Sequence, residues 1–316
     1  MLRAAARSCF FWLLLPLVFS ISTRAQPAPL TGMVVDAASG QPVPFAVVEI
    51  RAQRVGVQAA EQGTFTLALP AALAATDSLR VSSLGFMPQM LAVPSVSPCR
   101  LALRPLAISL PEAVVRAGRA LSVRLGPVEK GDKFGYGGGA KLSAENSTGW
   151  QVARYFAAPP AGTIQAVRFY VKPATQCGNI STQAPFRVRL YAADGPQGTP
   201  GTDLITTSLL TAATKEGWHE VDLSKLQLPV PAVGFYVAME WLYTKPEFGC
   251  VTHYLTPTKE KKTGYSYGQS LGGYLNAESQ TAWYLSAGYP WQQFKADRFL
   301  NKGNPNAAIQ AIIQPD

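Results

Sequence analysis

Few residues in this chain of 316 have the types and spacing that catalysis demands. It holds two histidines, His219 and His253. His219 alternates in phase with Val221 and Leu223, and His253 with Val251 and Leu255, which places both at strand edges or beneath loops. Neither sits in a His-x-x-Glu or His-Glu-x-x-His pattern, so the usual zinc-hydrolase ligand spacing is missing, and no metal or cofactor is expected. No Gly-x-Ser-x-Gly occurs, which removes the hydrolase nucleophile elbow. Cys250 and His253 are three positions apart, on opposite faces of a strand, so they do not make a thiol–imidazole pair. Glu220 and Glu240 are the best carboxylates for glycoside hydrolysis, which needs two acids roughly 5–10 Å apart. Both fall out of phase with the apolar residues of their strands, and both are expected to face solvent. Asp194 and Asp203 flank a Gly/Pro-rich turn. They have the oxygen chemistry of a calcium ligand, although a solvated turn explains them as well. The run Gly135-Tyr136-Gly137-Gly138-Gly139 lacks the Lys-Ser/Thr ending of a phosphate loop and reads as a flexible turn.

The stronger signal is for binding. Tyr265, Tyr267, Tyr274, Trp283, Tyr284, Tyr289 and Trp291 fall within 27 positions, interleaved with glycines. Aromatic faces stack on the C–H surface of sugar rings, while neighbouring Asn and Gln supply hydrogen bonds. Tyr274, Trp283, Tyr284 and Trp291 are the candidate ligand-binding residues. Packing between strands, where aromatics are favoured, is the competing explanation. The binding reading predicts solvent-exposed Trp283, Tyr284 or Trp291 along one groove.

Residues 1–25 read as a secretory signal peptide. Arg3 and Arg7 precede an apolar run from Cys9 to Phe19, and Thr23-Arg24-Ala25 puts small residues at −3 and −1 of a cut before Gln26. The run is about half the roughly 20 residues a membrane span needs. Removing Arg3, Arg7 and Arg24 with no acid lowers the formal charge from +9 to +6. That charge suits solubility or weak attraction to anionic surfaces; an exported chain meets little nucleic acid, and none is expected as partner. Export permits disulfides. Of Cys99, Cys177 and Cys250, the last two share one half of the chain and are the expected pair, leaving Cys99 packed beside Pro98. The remaining basic residues are scattered, except for Lys259, Lys261 and Lys262, which read as a solvated loop.

The elements that must position these residues are strands. Helical periodicity is nearly absent, and short apolar alternations broken by Gly, Pro, Asn and Asp recur throughout, as in all-β sandwiches. Phe65, Leu67 and Leu69 alternate with Thr64, Thr66 and Ala68. Phe235, Val237, Met239 and Trp241 alternate with Tyr236, Ala238 and Glu240. Such sheets are expected to bury one face and wet the other. The organisation expected is a first sandwich over 26–118, a linker leading into a strand over 119–133, and a second, jelly-roll-like sandwich of about eight to ten strands over 134–316.

Four blocks in order, Gly32-x-Val34-x-Asp36, Gly40-x-Pro42-Val43-Pro44-x-Ala46-x-Val48-x-Ile50, Gly63-x-Phe65 and Ser83-x-Gly85-Phe86, resemble the carboxypeptidase-D regulatory-like domain. The resemblance covers about 80 residues. It implies a transthyretin-like sandwich of about seven strands and an accessory module without peptidase activity, of the sort found in bacterial envelope proteins. Leu110-Pro111-Glu112-Ala113-Val114-Val115 looks like the segment that follows this module in some TonB-dependent receptors. The second half more weakly resembles the C-terminal part of two-domain envelope proteins of this kind. The expectation is an exported, non-enzymatic envelope protein. Its C-terminal sandwich would recognise a glycan or peptide, with a glycan or envelope protein as partner and peripheral contact with a membrane allowed. The alternatives are an enzyme acting on envelope polysaccharide or peptide, and an assembly partner of an outer-membrane receptor system.

Overall fold

The structure, a computed structural model, describes residues 27–106, 121–128, 130–140, 149–173, 183–244, 248–255, 258–276, 279–294 and 303–316. The expected signal segment and Cys177 lie outside these residues. The described residues are all-β, with short 3-10 turns and no α-helix. Among the described residues, no helix is long and apolar enough to cross a membrane.

The first unit is built from β1 (Leu30–Asp36), β2 (Val47–Ile50), β3 (Val55–Gln58), β4 (Thr64–Leu67), β5 (Ser78–Ser82), β6 (Phe86–Met87), β7 (Gln89–Ala92) and β8 (Cys99–Pro105). They form two sheets, β4-β1-β8-β6 and β3-β2-β5-β7. The alternating residues Val34, Val48, Ile50, Phe65, Leu67, Leu79, Val81, Leu101 and Leu103 close the core between them. β1 and β8 pair in parallel, so this sheet is mixed. Cys99 carries a free, half-buried thiol at the start of β8, and burial raises its pKa.

The second unit contains β9 (Val123–Leu125), β10 (Phe134–Ala140), β11 (Gln151–Phe156), β12 (Gly162–Lys172), β13 (Phe186–Ala192), β14 (Leu209–Thr211), β15 (Gly217–Asp222) and β16 (Leu228–Pro229). It continues with β17 (Phe235–Trp241), β18 (Gly249–Leu255), β19 (Lys261–Asn276), β20 (Ala282–Leu285), β21 (Gln292–Gln293), β22 (Asn304–Ala307) and β23 (Ile309–Pro315). One sheet follows the path β10-β19-β12-β23-β9, with β15, β16, β18 and β22 attached; the other runs β14-β13-β17-β11-β20-β21. This exceeds the eight to ten strands expected, because two- to four-residue strands leave too short an alternation to read. The glycine-rich run 135–139 is strand, not turn. It pairs with β19, Gly135 opposite Gly272 and the preceding Phe134 opposite Gly273, where the missing side chains make room: a Cβ on Gly273 would lie 2.4 Å from the Phe134 ring.

The two units meet face to face. The outer side of β3-β2-β5-β7 lies against the outer side of β14-β13-β17-β11-β20-β21, so the face expected to be wet is buried. Glu49 and Gln58 are each 3% exposed. Gln58 Nε2 donates to Glu240 Oε1 at 3.0 Å, and the Gly288 amide donates to Glu49 Oε2 at 2.7 Å. The approach is close enough that a Cβ on Gly85, at φ +82°, would sit 2.4 Å from the Thr206 carbonyl oxygen.

Candidate functional site

Glu240 corrects the reading of the carboxylates. It is 0% exposed, because the first unit covers the sheet face to which it points. Arg187 Nη1 lies 3.4 Å and Arg189 Nη1 3.1 Å from Glu240 Oε2. Arg189 also grips both oxygens of Asp203, at 2.8 and 2.9 Å. Across the junction, Glu49 Oε1 accepts from Arg51 at 2.9 Å and from Arg80 at 2.8 Å. Each buried charge in this layer has a counter-charge, as burial requires. Glu220, on the outer side of the opposite sheet, is exposed and 3.3 Å from Arg168. The two glutamates therefore lie on opposite outer faces and make no catalytic pair.

The other chemical candidates are held by protein groups. Asp194 accepts from the Thr202 amide and hydroxyl, each at 2.7 Å, and the Thr202 hydrogen bonds lower its pKa. His219 Nε2 is 2.7 Å from Thr211 Oγ1, and burial lowers its pKa. Among the described residues, no three His, Cys, Asp or Glu side chains are grouped to hold a metal. Cys250 is disulfide-bonded.

The aromatic candidates separate. β20 pairs with β11 on one side and β21 on the other, and adjacent residues of a strand point to opposite faces. Trp283 points outward and joins Tyr155, Tyr191, Tyr236 and Trp291 in a cluster on the outer face. Tyr284 points inward, toward Trp150 and Phe294, with ring centroids at 5.3 and 4.6 Å. Tyr274 is 5% exposed and is bonded to Arg154, so it is interior and not a surface ligand residue. The four do not share one groove: Trp283 and Trp291 lie on one face, Tyr284 on the other, and Tyr274 inside.

Tyr284 lines an open cleft of about 650 Å³ together with Gln280, Gln292, Gln293 and Phe294. Its hydroxyl donates to Gln292 Oε1 at 2.7 Å, and Gln293 Nε2 donates to the Gln280 carbonyl at 2.7 Å. Gln280 Nε2 also donates to the Phe294 carbonyl. Behind this rim, Asn306 is 0% exposed. Its Oδ1 accepts from the Thr281 amide at 2.7 Å and hydroxyl at 2.6 Å, and its Nδ2 donates to the Ser279 and Asn304 carbonyls at 2.9 and 3.0 Å. The loop that carries Gln280 is thus pinned by a fully bonded amide. The sequence reading missed the three glutamines and Phe294. The run Gln292-Gln293-Phe294 directly after Trp291 was the available signal. It joins amides that both donate and accept to an apolar ring, the mixture that polar ligand sites use.

Fold and cleft together define a two-sandwich β protein with a polar-rimmed aromatic cleft in its second unit. Residues 29–103 match the family model of the carboxypeptidase regulatory-like domain. This segment is a transthyretin-like β-sandwich of a non-catalytic kind. No curated protein matches the chain.

Proposed function

We propose that the protein is an exported, non-enzymatic component of a bacterial cell envelope whose second sandwich binds a saccharide in the Tyr284 cleft. The carrying observation is the composition of that cleft: among the described residues, two aromatic rings and three glutamine side chains line it and no charged side chain does. Aromatic faces with amides that both donate and accept complement a sugar ring and its hydroxyls. The basic start, apolar run and small-residue cleavage pattern of residues 1–25 support export. So does the disulfide at Cys250, since such bonds persist in oxidising compartments. The first unit acts as a rigid brace whose sheet face seats the second unit, and the second unit holds the cleft.

A glycan and muropeptide array probed with the chain from Gln26 onward tests this reading. Saccharides are expected to be retained. Tyr284→Ala should abolish retention, while Trp283→Ala, on the opposite face, should leave it intact. Retention that depends on Trp283 and Trp291 but not on Tyr284 would move the site to the outer face and end the cleft reading.

A further inference from the structure

Buried polar atoms without a partner among the described residues include three donors: the Tyr136 hydroxyl, Trp150 Nε1 and Arg154 Nε. Rings connect them to the cleft. The Phe294 ring, a cleft wall, lies 4.9 Å from that of Tyr136, and the Tyr284 ring, another wall, lies 5.3 Å from that of Trp150. Arg154 pairs with Ala282, and Val152 with Tyr284. Arg154 therefore emerges on the same sheet face as Tyr284, one diagonal away, about 7–8 Å between the two positions.

Arg154 is only 9% exposed. Its Nη1 donates to the Tyr274 hydroxyl at 2.5 Å and to the Ala307 carbonyl at 3.1 Å. Its guanidinium packs over Phe156 and Tyr274. These contacts are all neutral, and no carboxylate among the described residues pairs with it. A buried cation without a counter-charge is costly to keep, and an unpaired buried donor adds to that cost. Tyr136, itself 7% exposed, is close enough to feel the charge of Arg154. The partner that the described residues lack is an anion with acceptor oxygens.

We infer that Arg154, Tyr136 and Trp150 form a carboxylate-reading subsite at the inner end of the cleft, and that the ligand is an acidic sugar of the uronic-acid type. The inference rests on the saccharide reading of the cleft. The guanidinium supplies the charge, the two orphan donors supply direction, and the glutamine rim meets the ring hydroxyls. A free peptide carboxylate would satisfy Arg154 equally well, but the rim of neutral amides favours a polyhydroxylated ligand.

The test is an array carrying uronic-acid oligosaccharides, the methyl esters of the same oligosaccharides, and peptides with free or amidated C-termini, probed with the chain from Gln26 onward. The acids are expected to bind about ten-fold or more tightly than their esters, as one hydrogen-bonded charge contact provides. Tyr136→Phe removes a hydroxyl that has no partner among the described residues. It should keep the melting temperature and lose about ten-fold in acid affinity, with ester affinity unchanged. Arg154→Gln should erase the remaining acid preference. Equal binding of acid and ester overturns the subsite and leaves the cleft reading standing. Retention of free-carboxylate peptides alone, or of nothing, overturns both.

Discussion

The second sandwich buries arginines on both faces of one sheet, and the two groups are treated differently. On the outer face, Arg187 and Arg189 share Glu240, and Arg189 also holds Asp203. The first unit seals this layer with Gln58 and with the ring of Phe45, 5.6 Å from the Arg187 guanidinium. On the inner face, Arg154 has a hydroxyl, a carbonyl and two rings, and no acid among the described residues. The outer group is an internal joint, complete without any ligand. The inner group is incomplete and lies beside the cleft. Paired charges fix how two domains sit together, whereas an unpaired buried charge marks where something else is expected to bind.

The largest expected effect comes from breaking the complete group. Glu240→Ala leaves two buried guanidiniums short of their shared partner, and should lower unfolding free energy by about 3–5 kcal/mol. Arg154→Met removes a cation that has no counter-charge among the described residues, and should cost less than about half of that. Chemical denaturation of both variants sharpens the comparison, and equal losses would break it. Next in size, Gly85→Val forces a side chain onto the Thr206 carbonyl at a positive φ. About 1–3 kcal/mol should be lost, with faster proteolysis between the units than in the wild type. The smallest effect is a pH dependence at His219. Burial holds its folded pKa below the ordinary 6.5, so the unfolded chain takes up the proton first. Its contribution is complete above pH 6.5 and is lost as pH falls through the lower folded value. Melting temperatures from pH 7.5 downward should show this loss, and His219→Asn should flatten that part of the curve.

Much of the architecture was legible because period-two alternation reports which side of a strand meets its own core. Phe235, Val237 and Met239 announce β17 in this way, and the Gly40–Ile50 block announces the first unit. The same alternation misleads over Glu240. Being out of phase says that a residue points away from its own core, not that water lies there, and the covering layer comes from far away in the sequence, with Gln58 182 positions before Glu240. The Gly135–Gly139 run misleads for a related reason. Glycine weakens a strand in isolation, but here its partner strand carries glycines and bulky rings that need the space. At the site, Trp283 and Tyr284 are neighbours and cannot both line one groove, a conclusion period two already contained. Val152, Arg154 and Phe156 share a phase, so an inward arginine was readable in the sequence. That no acid among the described residues pairs with it depends on contacts such as those to Tyr274 and Ala307, far away in the chain, which no local pattern encodes.

A crystal structure of the protein with a bound uronic-acid oligosaccharide tests the account most directly. The expected result is a sugar ring against Tyr284 or Phe294, with its carboxylate within hydrogen-bond reach of Arg154 and the Tyr136 hydroxyl. A sugar seated on Trp283 and Trp291 across the sheet, or one in the cleft with its carboxylate turned out to solvent, would contradict it.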